Sequence, residues 1–203
     1  SVKSVPEPND LAYTSIALTP HTDNPYRKPI PCIQLLHCIE NEVKGGLSTL
    51  VDGFAVAEYL RKNHKDIFEI LTRTKVRFRF VDKTIILENW GELIELDENK
   101  KIKQVRYSTR LDYVPALEKK ELKLFYKARK LIADLYASSK FEIRFRLDKG
   151  DLLMMDNHRL LHGRTSFDIS EGKRYLKGCY IDHDSTEGKL RHLERKFNLK
   201  WKK

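Results

Sequence analysis

Near the start of the chain an imidazole and a carboxylate stand two residues apart, His21 and Asp23, in the string Thr19-Pro20-His21-Thr22-Asp23-Asn24. On an extended strand, positions i and i+2 point to the same face, so this pair can converge on one ion. A second imidazole from a distant strand would complete a facial set of two histidines and one carboxylate. Such a set leaves three adjacent coordination positions open and suits Fe(II) oxygen chemistry. Alone, the His-x-Asp pair carries little weight, because it arises often by chance. The second dense stretch is Asp156-Asn157-His158-Arg159-Leu160-Leu161-His162-Gly163-Arg164, directly after an apolar run at 152–155. His162 is its natural third ligand. Twelve residues on, Arg174 opens the string Arg174-Tyr-Leu-Lys-Gly-Cys-Tyr180. A neighbouring strand would bring that guanidinium back beside the metal, where it can hold a buried carboxylate through two parallel hydrogen bonds. A carboxylate-bearing cosubstrate separates such a centre from a bare zinc site.

Other polar residues have plainer readings. His158 lies four before His162, and on a helix that pair would bind zinc; the surrounding strand pattern favours His162 alone. Asp182-His183-Asp184 reads as a polar turn after a strand, and His37 as a satisfied strand histidine. Arg164 either assists the site or pairs with a local carboxylate, and Trp90 and Trp201 fit cage or core. Asp156-Asn157 is assigned to shaping the turn before the distal histidine. The three cysteines, Cys32, Cys38 and Cys179, are too few and too scattered for a disulfide framework or a zinc quartet. They read as reduced, partly buried thiols of a cytoplasmic protein.

The elements that must position these groups are mostly short strands. Candidates are 15–18, 32–39, 48–51, 76–80, 85–88, 93–96, 103–107, 141–147, 151–155 and 175–181. The stretch 141–147 alternates apolar and polar, as a strand with one wet face should. Helices are predicted at 53–63 and 65–72, at 118–138 with an apolar stripe through Leu122, Phe125, Ala128, Leu131, Ile132 and Leu135, and at 190–197. Many strands and few helices, without regular alternation, argue for a barrel or sandwich of antiparallel sheets with helices packed outside. A length of 203 residues suits a single domain over 1–203, with an extended lead-in at 1–10 and a basic helix or tail at 189–203.

Longer strings narrow the reading: Leu11-Ala-Tyr-Thr14, His21-Thr-Asp-Asn-Pro-Tyr26, Gln34-Leu-Leu-His-Cys38, Gly45-Gly46, Val51-Asp-Gly-Phe54, then Asp156-Asn157 with Arg159-Leu-Leu-His-Gly-Arg164. Together they resemble the γ-butyrobetaine and trimethyllysine dioxygenase branch of the TauD-like, Fe(II)- and 2-oxoglutarate-dependent oxygenases. The resemblance runs over nearly the whole chain and covers the family's catalytic domain, without the N-terminal domain of longer members. It implies a mainly β fold with flanking helices around a double-stranded β-helix, or jelly-roll, core. It further implies that His21, Asp23 and His162 hold Fe(II), and that Arg174 and Ser48 hold the distal carboxylate of 2-oxoglutarate. O2 is then consumed as the cosubstrate is decarboxylated and a C–H bond hydroxylated.

The family's substrates are small zwitterions bearing a trimethylammonium group, which aromatic faces attract at ~0.5–2 kcal/mol per ring. Tyr13 and Tyr180 match substrate-pocket positions; without the resemblance they read equally well as packing residues. The family's main aromatic cage lies upstream of this sequence. Asp10 stands where butyrobetaine enzymes place an Asn, and Arg106 and Arg110 fall where relatives contact the anionic end. Those arginines also suit a phosphonate head, so a trimethylaminoethylphosphonate hydroxylase is the alternative within the class.

The net charge of +10 raises the question of nucleic acid. Much of the excess sits at 189–203, where a solvated basic helix accounts for it, and no nucleic-acid module accompanies it. A small-molecule substrate is expected rather than nucleic acid or a membrane, since no apolar run reaches eighteen residues. A homodimer stays open. Outside the class, the competing readings are an inactive or non-enzymatic binding module and a zinc hydrolase, which would have no use for Arg174.

Overall fold

A computed structural model describes residues 2–3 and 14–199. In chain order the elements are β1 (Val2–Lys3), β2 (Leu18–His21), β3 (Ile33–Asn41), β4 (Ser48–Asp52), α1 (Gly53–Asn63), α2 (Lys65–Arg73), β5 (Lys75–Val81), β6 (Ile86–Glu92), β7 (Ile94–Leu96), β8 (Ile102–Val105), β9 (Asp112–Tyr113), α3 (Lys119–Tyr136), β10 (Glu142–Phe145), β11 (Leu152–Asp156), β12 (Leu160–Arg164), β13 (Arg174–Ile181) and α4 (His183–Phe197).

Among the described residues, two four-stranded sheets, ordered β1-β13-β3-β11 and β10-β4-β12-β2, make the jelly-roll core. A three-stranded sheet, β6-β5-β9, and the β7-β8 pair extend it. All pairings are antiparallel. The mainly β reading with flanking helices therefore holds.

Helices α1 to α3 close the main core. Val56, Ala57 and Leu60 of α1, Ile67, Ile70 and Leu71 of α2, and Phe125, Ala128 and Ile132 of α3 are buried with Val76, Phe78, Ile94 and Leu161. Each large apolar side chain buried there contributes about 1.5–3 kcal/mol. Helix α1 starts where expected because Asp52 caps it: its carboxylate accepts from the backbone N–H of Phe54 and Ala55 at 3.0 and 3.2 Å. The same carboxylate takes Arg159 at 2.7 Å, and the Gly53 N–H donates to the Arg159 carbonyl at 3.0 Å. The Val51-Asp-Gly-Phe54 string thus ties α1 to the turn between β11 and β12.

Three sequence expectations need correction. The strand predicted at 15–18 forms at Leu18–His21, so His21 ends a strand rather than following one. Strand β12 was not foreseen; Leu160-Leu-His-Gly-Arg164 lacks clean alternation, yet buried Leu161 anchors one face in the core while His162 projects from the other. The helix at the C-terminal end begins at His183, seven residues earlier than predicted, so Asp182-His183-Asp184 is a helix start, with Asp182 at the N-cap, and not a polar turn.

Candidate metal and cosubstrate site

Strands β2 and β12 pair so that His162 lies directly opposite His21, with Leu50 of β4 on its other side. The two imidazole rings sit with centroids 4.5 Å apart. Asp23, two residues beyond His21, brings its carboxylate between them: His21 Nε2 is 3.5 Å from Oδ1 and His162 Nε2 is 3.7 Å from Oδ2. Ligand atoms of all three residues lie within 4.8 Å of one another. Two imidazole nitrogens and one carboxylate on a common point are the donor set that suits a divalent iron with open positions. His162 stands on a strand, and His158 in the turn before it, so the helical zinc pair is excluded.

The protonation states suit a metal. The Thr19 carbonyl can only accept, so the 2.9 Å contact makes His21 Nδ1 the donor and turns Nε2 toward Asp23. Burial pushes His162 down to about 4, so its ring is neutral near neutrality. Burial works against ionisation of Asp23, but His162, His21 and the Tyr180 hydroxyl more than offset it and hold the carboxyl well below its usual range.

Asp23 is also held mechanically. Its Oδ2 accepts from Gln34 Nε2 at 2.7 Å and from the Tyr180 hydroxyl at 2.6 Å. Gln34 and Tyr180 are direct partners across β3 and β13, so one cross-strand pair aims two donors at one oxygen. Asn157 completes the frame: its Oδ1 accepts from the Asp23 N–H at 2.7 Å, and its amide donates to the carbonyls of Asp23 and Pro31 at 3.0 and 2.9 Å. The roles of Gln34 and Asn157 were missed in the sequence, although both lie in the strings that carry the family resemblance. Tyr180 was expected at the substrate pocket; its hydroxyl is committed to Asp23.

Arg174 opens β13 and is buried. Gly46, with φ +67°, passes so close that a Cβ there would lie 2.8 Å from Arg174 Nε; only glycine combines this backbone conformation with that approach. The guanidinium lies 5.6 Å from the Phe167 ring centroid, and that of Arg164 lies 4.9 Å from the same ring. Arg174 Nε has no hydrogen-bond partner, and among the described residues no carboxylate forms an ion pair with Arg174. A buried guanidinium without a counter-charge is costly, and an anionic ligand would relieve that cost. Ser48 is buried opposite Arg164 on β4, two positions from the Leu50 that flanks His162. Arg164 donates to the carbonyls of Thr14 and Ile16, both at 2.7 Å.

The remaining predicted residues divide. Arg106 differs from the expected anion contact: it is buried, paired with Glu95 and bonded to the Glu92 carbonyl at 3.1 Å, so its charge is already balanced. Arg110 lies exposed on the turn at 109–111. Trp90 is half exposed on β6, outside the core, and His37 faces solvent from β3. Asp10, Tyr13 and Trp201 lie outside the described residues.

A jelly roll that gathers two histidines and one carboxylate at a common point, and that buries Arg174 with no carboxylate partner among the described residues, has the features of the class of non-haem iron oxygenase folds. Within it, residues 1–180 match the family model "Taurine catabolism dioxygenase TauD, TfdA family", and the chain belongs to that family. It is 34% identical over 194 residues to the γ-butyrobetaine dioxygenase of Pseudomonas sp. (strain AK-1), covering 96% of this chain and 51% of that protein. It is 35% identical over 190 residues to the trimethyllysine dioxygenase of Meyerozyma guilliermondii, covering 91% and 47%. The chain therefore spans about half the length of the curated relatives it matches. Among solved structures, the non-haem iron oxygenase OrfP in complex with Fe and alpha-ketoglutaric acid superposes with a TM-score of 0.65 at 19% identity, over 93% of this chain and 57% of that one. That likeness establishes the fold. No helix among the described residues is long and apolar enough to cross a membrane.

Proposed function

We propose that the chain is the catalytic portion of an Fe(II)- and 2-oxoglutarate-dependent dioxygenase that hydroxylates a C–H bond of a small, γ-butyrobetaine-like trimethylammonium zwitterion. The observation that carries this reading is the His21, Asp23 and His162 cluster in a fold that also buries Arg174 with no carboxylate partner among the described residues. In this reading His21, Asp23 and His162 hold Fe(II). Bound there, iron supplies O2 activation coupled to decarboxylation of 2-oxoglutarate to succinate and CO2.

The chain's own residues do the positioning. Arg174 and Ser48, both buried, hold the distal carboxylate of the cosubstrate through a charge-assisted contact. Gln34 and Tyr180 fix the Asp23 carboxylate, and the Thr19 carbonyl fixes the His21 ring. For the substrate, the faces of Tyr180 and Tyr13 attract the trimethylammonium group. Arg110 is assigned to its anionic end, and Asp10, in place of the family's Asn, would repel that end.

The test is a product screen. The chain is incubated with Fe(II), ascorbate, 2-oxoglutarate and, separately, γ-butyrobetaine, trimethyllysine and trimethylaminoethylphosphonate. Succinate release with one added oxygen atom in a quaternary amine supports the proposal, and the substrate consumed decides between carboxylate and phosphonate heads. Succinate with none of the quaternary amines would remove the substrate class.

A further inference from the structure

A second group of metal-ligating side chains lies where three neighbouring strands end. In the sheet order β13-β3-β11, Ile33 pairs with Ile181 on one side and with Asp156 on the other. Cys32 immediately precedes β3, Asp156 ends β11, and His183 follows β13 by two residues. Ligand atoms of Cys32, Asp156 and His183 all lie within 4.8 Å of one another.

Four further observations point to a cation. Cys32 is 1% exposed, so its thiol is shielded from oxidants and disulfide partners. His158 meets His183 with Nδ1 3.1 Å from Nε2, and its own Nε2 lies 3.1 Å from the Ile30 carbonyl. A carbonyl accepts only, so His158 carries its proton on Nε2 and its Nδ1 accepts from His183 Nε2–H; a cation between the two rings would take the place of that proton and leave the His158 N–H on a carbonyl, as in metal-binding histidines. Asp156 uses one oxygen to accept from the His158 N–H at 2.8 Å and has a second available. Finally, α4 has no buried residue, so apolar packing does little to hold its first turn against the sheet.

We propose that Cys32, Asp156 and His183 form a zinc-type site, with His158 Nδ1 the nearest candidate for the fourth donor. Thiolate, imidazole and carboxylate donors in a buried corner match the preference of Zn2+. Tetrahedral bonds of about 2.0–2.3 Å place donors roughly 3.3–3.8 Å apart, so modest side-chain closure forms the site. Binding displaces the thiol proton. The ion would fasten α4 to the end of β11 and the turn that leads into β12.

Cobalt reports on this directly, because only a thiolate ligand gives an intense sulfur-to-cobalt charge-transfer band, and the His21, Asp23 and His162 set has no sulfur. Titration of the full chain with Co2+ is expected to raise that band to saturation, and Zn2+ should abolish it. The band should persist in Cys179→Ser and vanish in Cys32→Ala. Cys32 is buried, so the decisive variant is His183→Ala, at the partly exposed start of α4, which should weaken cobalt binding at least tenfold. Absence of the band, its loss with Cys179→Ser, or wild-type affinity in His183→Ala would each overturn the proposal. None of these readouts depends on turnover or on 2-oxoglutarate.

Discussion

Two clusters of imidazole and carboxylate sit four residues apart along the chain, at His158 in the turn after β11 and at His162 on β12, and they are built by different means. At His162 the donors come from two paired strands, and the carboxylate is fixed before any ion arrives. Gln34 and Tyr180 hold one oxygen of Asp23 while Asn157 holds its backbone. At His158 the donors come from strand ends and the start of α4, the two imidazoles meet each other, and one donor is a buried thiol. The first arrangement suits a centre that must keep coordination positions open. The second suits one that closes around its ion and ties elements together. The difference lies in which neighbours constrain each donor, not in the residue types alone.

The sharpest way to break that contrast is to remove one member from each cluster. Asp23→Ala should lower succinate formation by about 100-fold or more, since a lost ligand should cost more than the ~10–100-fold typical of outer partners. His183→Ala should leave it within roughly twofold. Comparable losses in both would merge the clusters into one functional unit. The bracing of Asp23 is next in size: Gln34→Leu and Tyr180→Phe should each weaken Fe(II) binding by ~10–100-fold with the fold intact. Binding titrations alongside circular dichroism separate that outcome from simple unfolding.

Smaller effects test the scaffold. A Cβ at Gly163 would lie 2.5 Å from the Leu18 carbonyl oxygen and 2.7 Å from Thr49 Oγ1. Gly163→Ala should therefore cost about 1–3 kcal/mol in denaturant unfolding and shift β2 against β12, with weaker metal binding as the companion sign. Asp52→Ala removes the α1 cap and a half-exposed pair with Arg159. It should cost about 1 kcal/mol while metal affinity stays unchanged.

These residues also show what the sequence made legible. The convergence of His21 with Asp23 follows from i, i+2 geometry, and α1 from an Asp before an apolar 3.6-residue stripe. Both are local rules that one segment satisfies alone. Strand β12 escaped because it alternates poorly: one side packs Leu161 in the core, while the other carries a polar ligand and a glycine. The bracing by Gln34 and Tyr180 depends on the register of β3 against β13, fixed by pairing between segments some 140 residues apart. Arg106 illustrates the reverse case. Its position along the chain fits an anion contact, but the antiparallel pairing of β7 and β8 brings Glu95 within reach and neutralises it. His183 read as part of a turn because nothing in Asp182-His183-Asp184 reveals that the end of β13 lies against Cys32.

In the proposed function the buried Arg174 guanidinium takes the distal carboxylate of a keto acid bound at the His21, Asp23 and His162 centre. Anaerobic titration of the Fe(II)-loaded chain with 2-oxoglutarate tests it most directly, read by the visible absorption that arises when a 2-oxo acid chelates ferrous iron. The wild-type chain should develop this band saturably, and Arg174→Met should require at least 30-fold more 2-oxoglutarate, the scale of about 2 kcal/mol for a lost buried charge pair. No band in the wild type, or equal affinity in Arg174→Met, would contradict the account.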